Sequence, residues 1–127
     1  MRAYTSLEQS KKLAEILPFK SADFMWEYNH DKETYWDKPT MIPIDSYIFV
    51  NEIPAWSLAA LLEVIPSEIF NGEYIINITE GLDNKWCITY DNIDNRNHSF
   101  YGLSSSADNL IDACYEMILK LHGLKML

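Results

Sequence analysis

Between Pro54 and Pro66 the chain reads Pro-Ala-Trp-Ser-Leu-Ala-Ala-Leu-Leu-Glu-Val-Ile-Pro, with only Ser57 and Glu63 polar. Leu58, Leu61, Leu62 and Ile65 fall at i, i+3, i+4 and i+7, the spacing of one helix face. Ala59, Ala60 and Val64 make the other side apolar as well. A helix apolar almost all round belongs in a core, so this pattern predicts a central buried helix over residues 55–65. Pro66 ends it, because the residue before a proline is pushed out of the α region.

On either side of that helix the periodicity alternates between helix and strand. Residues 6–17 predict a first helix, in which Ser6-Leu7-Glu8-Gln9 has the capping-box form. Leu7, Leu13, Ala14 and Leu17 give its apolar stripe, and Pro18 stops it. In residues 23–28, Phe24, Trp26 and Tyr28 alternate with smaller or polar side chains, a strand with an aromatic face. Residues 29–33 are turn-like and Thr34-Tyr35-Trp36 begins the return, which makes a hairpin. Residues 37–53 are broken by Pro39 and Pro43, while residues 47–50 have strong β character; they read either as a short edge strand or as an extended loop.

After the central helix, Asn71-Gly72 marks a turn, residues 73–79 an isoleucine-rich strand, residues 81–84 a second turn, and residues 85–90 a returning strand. Residues 91–99 read as a polar loop and residues 100–102 as a short strand. The last helix is expected over residues 107–122, with Ser106 as N-cap and Gly123 as the C′ residue. Lys120 and His122 suit the negative end of its dipole. A Leu-Leu/Ala-Glu-Ile/Val-Leu/Ile-Pro echo links residues 13–18 with 61–66. It fits either a duplication or two helices stopped in the same way. The expected architecture is a single α+β domain over residues 1–127: an antiparallel sheet of about 4–6 strands with three helices, in the order α-ββ-(β)-α-ββ-(β)-α.

Composition narrows the setting. A chain of 127 residues, 48% hydrophobic and 13% aromatic, is long and apolar enough to bury a core. Cys87 and Cys114 fall in predicted strand and helix interiors and read as small buried apolar residues rather than a disulfide. Glu8, Lys11, Lys12 and Glu15 interrupt any signal-peptide core, and no apolar run approaches the roughly 20 residues of a membrane span. The expectation is a soluble, cytoplasmic protein. Its net charge is −9, and between Lys38 and Lys85 there is no basic residue but seven acids: Asp45, Glu52, Glu63, Glu68, Glu73, Glu80 and Asp83. That balance argues against nucleic-acid and membrane-surface binding. It suits a basic partner protein, imitation of nucleic acid, or simply a solvated surface.

No motif assigns chemistry. His30, His98 and His122 lack partners at zinc-ligand spacing. The Asp91-Asn92-Ile93-Asp94-Asn95 stretch hints at a calcium loop, but Ile93 stands where a ligand is needed and no glycine follows at the sixth position. With four glycines there is little material for a phosphate loop or dinucleotide fingerprint. Asn77-Ile78-Thr79 is a glycosylation sequon at a strand position. No catalytic residue, cofactor or metal ligand is assigned. The remaining signal is aromatic: Trp26, Tyr28, Tyr35, Trp36, Tyr47 and Trp56 crowd the first half. Core packing accounts most simply for Trp26 and Trp56, whereas Tyr35, Trp36 and Tyr47 are the candidate partner-binding residues.

The segments Ser6-Leu7-Glu8-Gln9-Ser10, Leu17-Pro18, Ser21-Ala22-Asp23, Trp56-Ser57-Leu58-Ala59-Ala60-Leu61-Leu62-Glu63 and Asp112-Ala113-Cys114-Tyr115-Glu116-Met117-Ile118 resemble a group of small uncharacterised proteins encoded by prophages and mobile elements of gut bacteria of the Bacteroidetes type. The resemblance implies an intracellular, mobile-element setting and supplies no site residue. The leading functional expectation is a binding or adaptor protein acting on a host or phage protein, with a homodimer through an edge strand at residues 44–50 left open. The alternatives are a small enzyme or ligand-binding domain whose site assembles only in three dimensions, and an acidic nucleic-acid mimic.

Overall fold

The computed structural model describes residues 2–43 and 51–127. The chain divides into two compact units, Arg2–Ala60 and Leu61–Leu127. It is an α+β protein, with three α-helices and antiparallel strands in three sheets of three, two and four strands among the described residues. The expectation of one sheet of about 4–6 strands is therefore corrected in its layout. Among the described residues no helix is long and apolar enough to cross a membrane.

In the first unit, α1 (Leu7–Ala14) opens with the capping box read from the sequence: the Gln9 N–H donates to Ser6 Oγ and the Ser6 N–H to Gln9 Oε1, each at 3.1 Å. The helix closes at Ala14, three residues before the expected Leu17, and a 3-10 turn follows at Phe19–Ser21. Strand β1 (Phe24–Trp26) lies at the centre of a sheet ordered β4-β1-β5, between β4 (Thr40–Met41) and β5 (Ile53–Ala55). Strands β2 (Tyr28–Asn29) and β3 (Thr34–Tyr35) form the predicted hairpin, with Tyr28 opposite Tyr35. Asn29 Oδ1 takes the Asp31 and Lys32 N–H groups in its turn, and Glu33 occupies the left-handed region that tightens it. The β-rich residues 47–50, and Tyr47 with them, lie outside the described residues.

The core of this unit gathers Leu13, Leu17, Trp26, Ala55 and Trp56. Its buried polar atoms satisfy one another. Thr5 Oγ1 and Ser10 Oγ lie 2.7 Å apart, and the Trp26 indole N–H reaches Ser10 Oγ. The Trp56 backbone N–H meets Thr5 Oγ1, and its indole N–H meets Ser21 Oγ. Polar groups buried without such partners would each cost about 1–3 kcal/mol.

Helix α2 (Leu58–Val64) carries the chain from the first unit to the second. Two expectations about it are corrected. It starts at Leu58 rather than residue 55, because Pro54 and Ala55 pair with β1, and because Ser57 accepts the Ala60 N–H as a helix cap. Asp23 fixes that cap by accepting both the Ser57 N–H and its hydroxyl. Nor is the helix buried all round: Ala60 and Leu61 are buried, whereas Ala59, Leu62 and Glu63 face solvent.

The second unit is an antiparallel meander, β6 (Glu68–Ile69), β7 (Tyr74–Glu80), β8 (Trp86–Asn92) and β9 (Ser99–Ala107), with α3 (Leu110–Gly123) after it. Ile88, Tyr90 and Leu103 are buried, as are Ile111, Cys114, Met117, Ile118 and Leu121 on the apolar stripe of α3. The Tyr90 hydroxyl donates to the Pro66 carbonyl at 2.6 Å, and burial pushes this phenol up to about 12. Strand β9 runs through Ser104, Ser105 and Ser106, which pair with Thr89, Ile88 and Cys87, so it is far longer than the expected residues 100–102. Consequently α3 begins at Leu110 with Asn109 as N-cap, its side chain accepting the Asp112 N–H at 2.9 Å, and Ser106 stays in the strand. Gly123 is the last helical residue, and the left-handed position falls instead on Lys125.

Candidate functional site

The aromatic residues of the first unit separate into two populations. Trp26 and Trp56 belong to the core, as the simpler sequence reading had it. Tyr28, His30, Tyr35 and Trp36 stand at the hairpin with partial or full exposure. The Tyr28 and Tyr35 rings meet edge to face with centroids 5.2 Å apart, and His30 meets Tyr28 at 5.0 Å. The Lys11 ammonium sits 5.9 Å from the Tyr35 ring centre, a cation on an aromatic face.

Trp36 is 54% exposed. Its N–H donates to the Glu27 carbonyl at 3.0 Å, which extends the hairpin register by one pair. Trp36 and Glu27 flank the two strands of the hairpin. Tyr47 lies outside the described residues.

Trp26 pairs with Ile53, and just beyond that pair Glu27 lies within electrostatic range of Glu52. Glu27 Oε1 accepts the Thr40 hydroxyl at 2.5 Å. Glu52 is half-buried, and its Oε2 is out of solvent with no hydrogen-bond partner among the described residues. Its carboxyl is pushed above the ordinary range first by burial and then by the Glu27 charge, with His30 pulling the other way. Like charges close together disfavour the ionised form. Sequence reasoning did not bring Glu27 and Glu52 together, because they are far apart in the chain and meet only in the fold.

In the second unit the residues weighed as chemistry have structural partners. Asp91, 5% exposed, does not open a cation loop. It accepts hydrogen bonds from Asn77 Nδ2 (2.9 Å), Thr89 Oγ1 (2.9 Å) and Ser99 Oγ (2.7 Å) across three strands. Asn92 Oδ1 takes the Asp94 and Asn95 N–H groups, which shapes the following turn. The sequon Asn77 is the residue whose amide holds Asp91. His98 lies 6.3 Å from the Tyr74 ring, in a group that also includes Phe70 and Phe100. Cys87 and Cys114 are free thiols, and burial pushes that of Cys114 up to about 12, an unreactive state. Among the described residues no three His, Cys, Asp or Glu side chains converge to hold a metal ion. Comparison with protein-family models, with curated proteins and with solved structures gave no match.

Proposed function

We propose that this chain is a small binding or adaptor module that acts by protein–protein contact through its β2–β3 hairpin, on a partner presenting basic side chains. The observation that carries the reading is the partition of the aromatics. Trp26 and Trp56 are spent on the core, while Trp36 faces solvent and Tyr28, Tyr35 and His30 stand partly or fully exposed at the hairpin. Tryptophan and tyrosine dominate the energetics of protein interfaces. The net charge of −9 supplies complementarity to a basic surface. The setting we propose, the cytoplasm of a bacterium carrying a phage or mobile element, rests on the sequence resemblance alone.

The test is capture of partners from bacterial extract by the tagged chain at low and high salt, compared with the double variant Tyr35→Ala/Trp36→Ala. The expected result is one saturable partner, weakened by salt and lost in the variant, whose thermal midpoint stays close to that of the parent. A folded variant that retains every partner overturns the reading.

One observation favours a second reading, a small enzyme or ligand-binding domain. Glu52, with its raised carboxyl, stands beside Glu27 and within the field of His30, a combination suited to proton transfer. If a panel of chromogenic hydrolase substrates reveals turnover, Glu52→Gln should abolish it. Turnover unchanged in that variant removes Glu52 from the chemistry.

A further inference from the structure

The turn between β6 and β7 holds Asn71-Gly72, the chain's one asparagine–glycine pair. The Glu73 N–H donates to the Phe70 carbonyl at 3.2 Å across it, and φ is +56° at Asn71 and +86° at Gly72. Two positive central angles make a type I′ turn. Asparagine before glycine is prone to cyclise, because a residue without Cβ lets its backbone nitrogen swing onto the preceding side chain. The fold opposes this. In the left-handed region ψ is about +47°, which turns the Gly72 nitrogen away from the Asn71 Cβ, to the far side of the Cα–C bond. Yet what keeps the turn closed is slight. Strand β6 has two residues, lies at the sheet edge, and pairs with β7 at Glu68–Ile75 and Ile69–Tyr74. Phe70 is also left-handed, at φ +53°, a strained state for a bulky side chain. Its half-exposed ring is clasped by Phe100 and Tyr74, with centroids 5.0 and 6.0 Å away.

We infer that Asn71 is a self-modification site gated by this hairpin: when β6 lifts from β7, Asn71 converts to aspartate or isoaspartate, and the isoaspartyl chain cannot close again in register. The Gly72 backbone nitrogen attacks the Asn71 side-chain carbonyl carbon and gives its proton to solvent. The bond from that carbon to the side-chain nitrogen breaks, and ammonia leaves. Water then opens the cyclic imide at either carbonyl, so nothing is oxidised or reduced. Opening at the former backbone carbonyl routes the main chain through the side chain and lengthens it by one carbon. A two-residue turn fixes the register of its strands, so the added atom is incompatible with the Ile69–Tyr74 pairing. Either product also adds a carboxylate to a turn that already holds that of Glu68, whose Oε2 lies 3.4 Å from where a Cβ on Gly72 would stand. Reclosure is thus opposed by geometry and by charge, and Phe70 leaves its aromatic clasp.

The test is peptide mapping of the full chain by mass spectrometry after incubation at mildly alkaline pH, folded and in guanidinium chloride, following loss of ammonia and gain of water at each asparagine. Asn71 should convert at least about ten-fold more slowly folded than unfolded, an opening free energy of about 1.4 kcal/mol or more. In the unfolded chain it should outpace Asn84 and Asn97, which precede lysine and histidine. Phe100→Ala and Phe70→Ala, which release the clasp, should each raise the folded rate several-fold and leave the unfolded rate unchanged, with thermal midpoints verifying that the variants fold. Phe70→Gly, which also relieves the strain, should convert more slowly than Phe70→Ala. Equal rates folded and unfolded overturn the gate, as does a folded rate that neither clasp variant moves. Absence of product from the folded parent and from both clasp variants overturns the site itself. In the isolated isoaspartyl form the Ile76 amide, which donates to the Ser67 carbonyl in the closed hairpin, should exchange its hydrogen faster than in the parent. Unchanged exchange overturns the one-way opening.

Discussion

Asp91 and Glu52 are carboxylates with opposite fates, and the difference lies in their donors. Burial by itself would raise Asp91, but hydrogen bonds from Ser99, Thr89 and Asn77, with the charge of Arg96, outweigh it and hold the carboxyl below its ordinary value of 3.8. Its folded pKa is depressed, so the stability it contributes is present above 3.8 and lost as pH falls through the lower folded value. Asp91→Ala should cost about 2–3 kcal/mol at neutral pH in denaturant titrations, with the difference shrinking in strong acid. Glu52 carries the reverse sign. Its folded pKa lies above the ordinary 4.5, so the ionised group opposes folding once pH exceeds that value. Glu52→Gln should therefore raise the thermal midpoint at neutral pH and leave it unchanged near pH 4.5. At this scale the sequence was legible only where partners are close. Ser6 and Gln9 are three residues apart and form the expected cap. Asn77 reaches Asp91 across 14 residues, and from sequence alone Asp91 looked like the start of a loop.

Elements were legible in kind more than in extent. The helix–hairpin–helix–hairpin–helix alternation is visible in the hydrophobic pattern, and the Tyr28–Tyr35 hairpin follows from alternation and a polar turn. Their limits depended on neighbours. Pro54 and Ala55 look like the start of a helix, yet β1 recruits them as a strand and Asp23 holds Ser57 as the cap 34 residues away. Ser104, Ser105 and Ser106 lie beyond the short strand expected at residues 100–102, yet they pair with β8, which moves the N-cap of α3 from Ser106 to Asn109. A pair of variants tests this. Asn109→Ala should destabilise the protein by about 1 kcal/mol through loss of the cap, measured by thermal or urea unfolding. Ser106→Ala should change stability by less than about 0.5 kcal/mol, because Ser106 lies exposed in a strand. A reversed order would mean that the helix starts where the sequence first placed it.

For the whole molecule, the −9 net charge is the property most directly tied to partner choice. Duplex DNA presents a dense row of negative charge, and its binding proteins gain affinity by releasing counterions through lysine and arginine. This chain has ten such residues against nineteen acids. It should fail to retard duplex DNA in a gel even at about 50 mM salt, where nonspecific contacts are strongest. The division into separate sheets was beyond sequence reasoning, because strand partners are chosen by three-dimensional neighbours and not by local pattern. Strand β9, at one edge of its sheet and, at nine residues, the longest among the described residues, has a further consequence. An outer strand with open backbone groups is a template onto which other chains add. Here the register breaks between Thr89 and Asp91, Gly102 adopts φ +96°, Tyr101 is thrown wholly into solvent, and the Lys120 ammonium donates to the Ser104 carbonyl. A kinked edge guarded by a lysine offers no straight ladder for another strand to join, so amyloid-like growth of the folded chain at high concentration would have to begin somewhere other than β9.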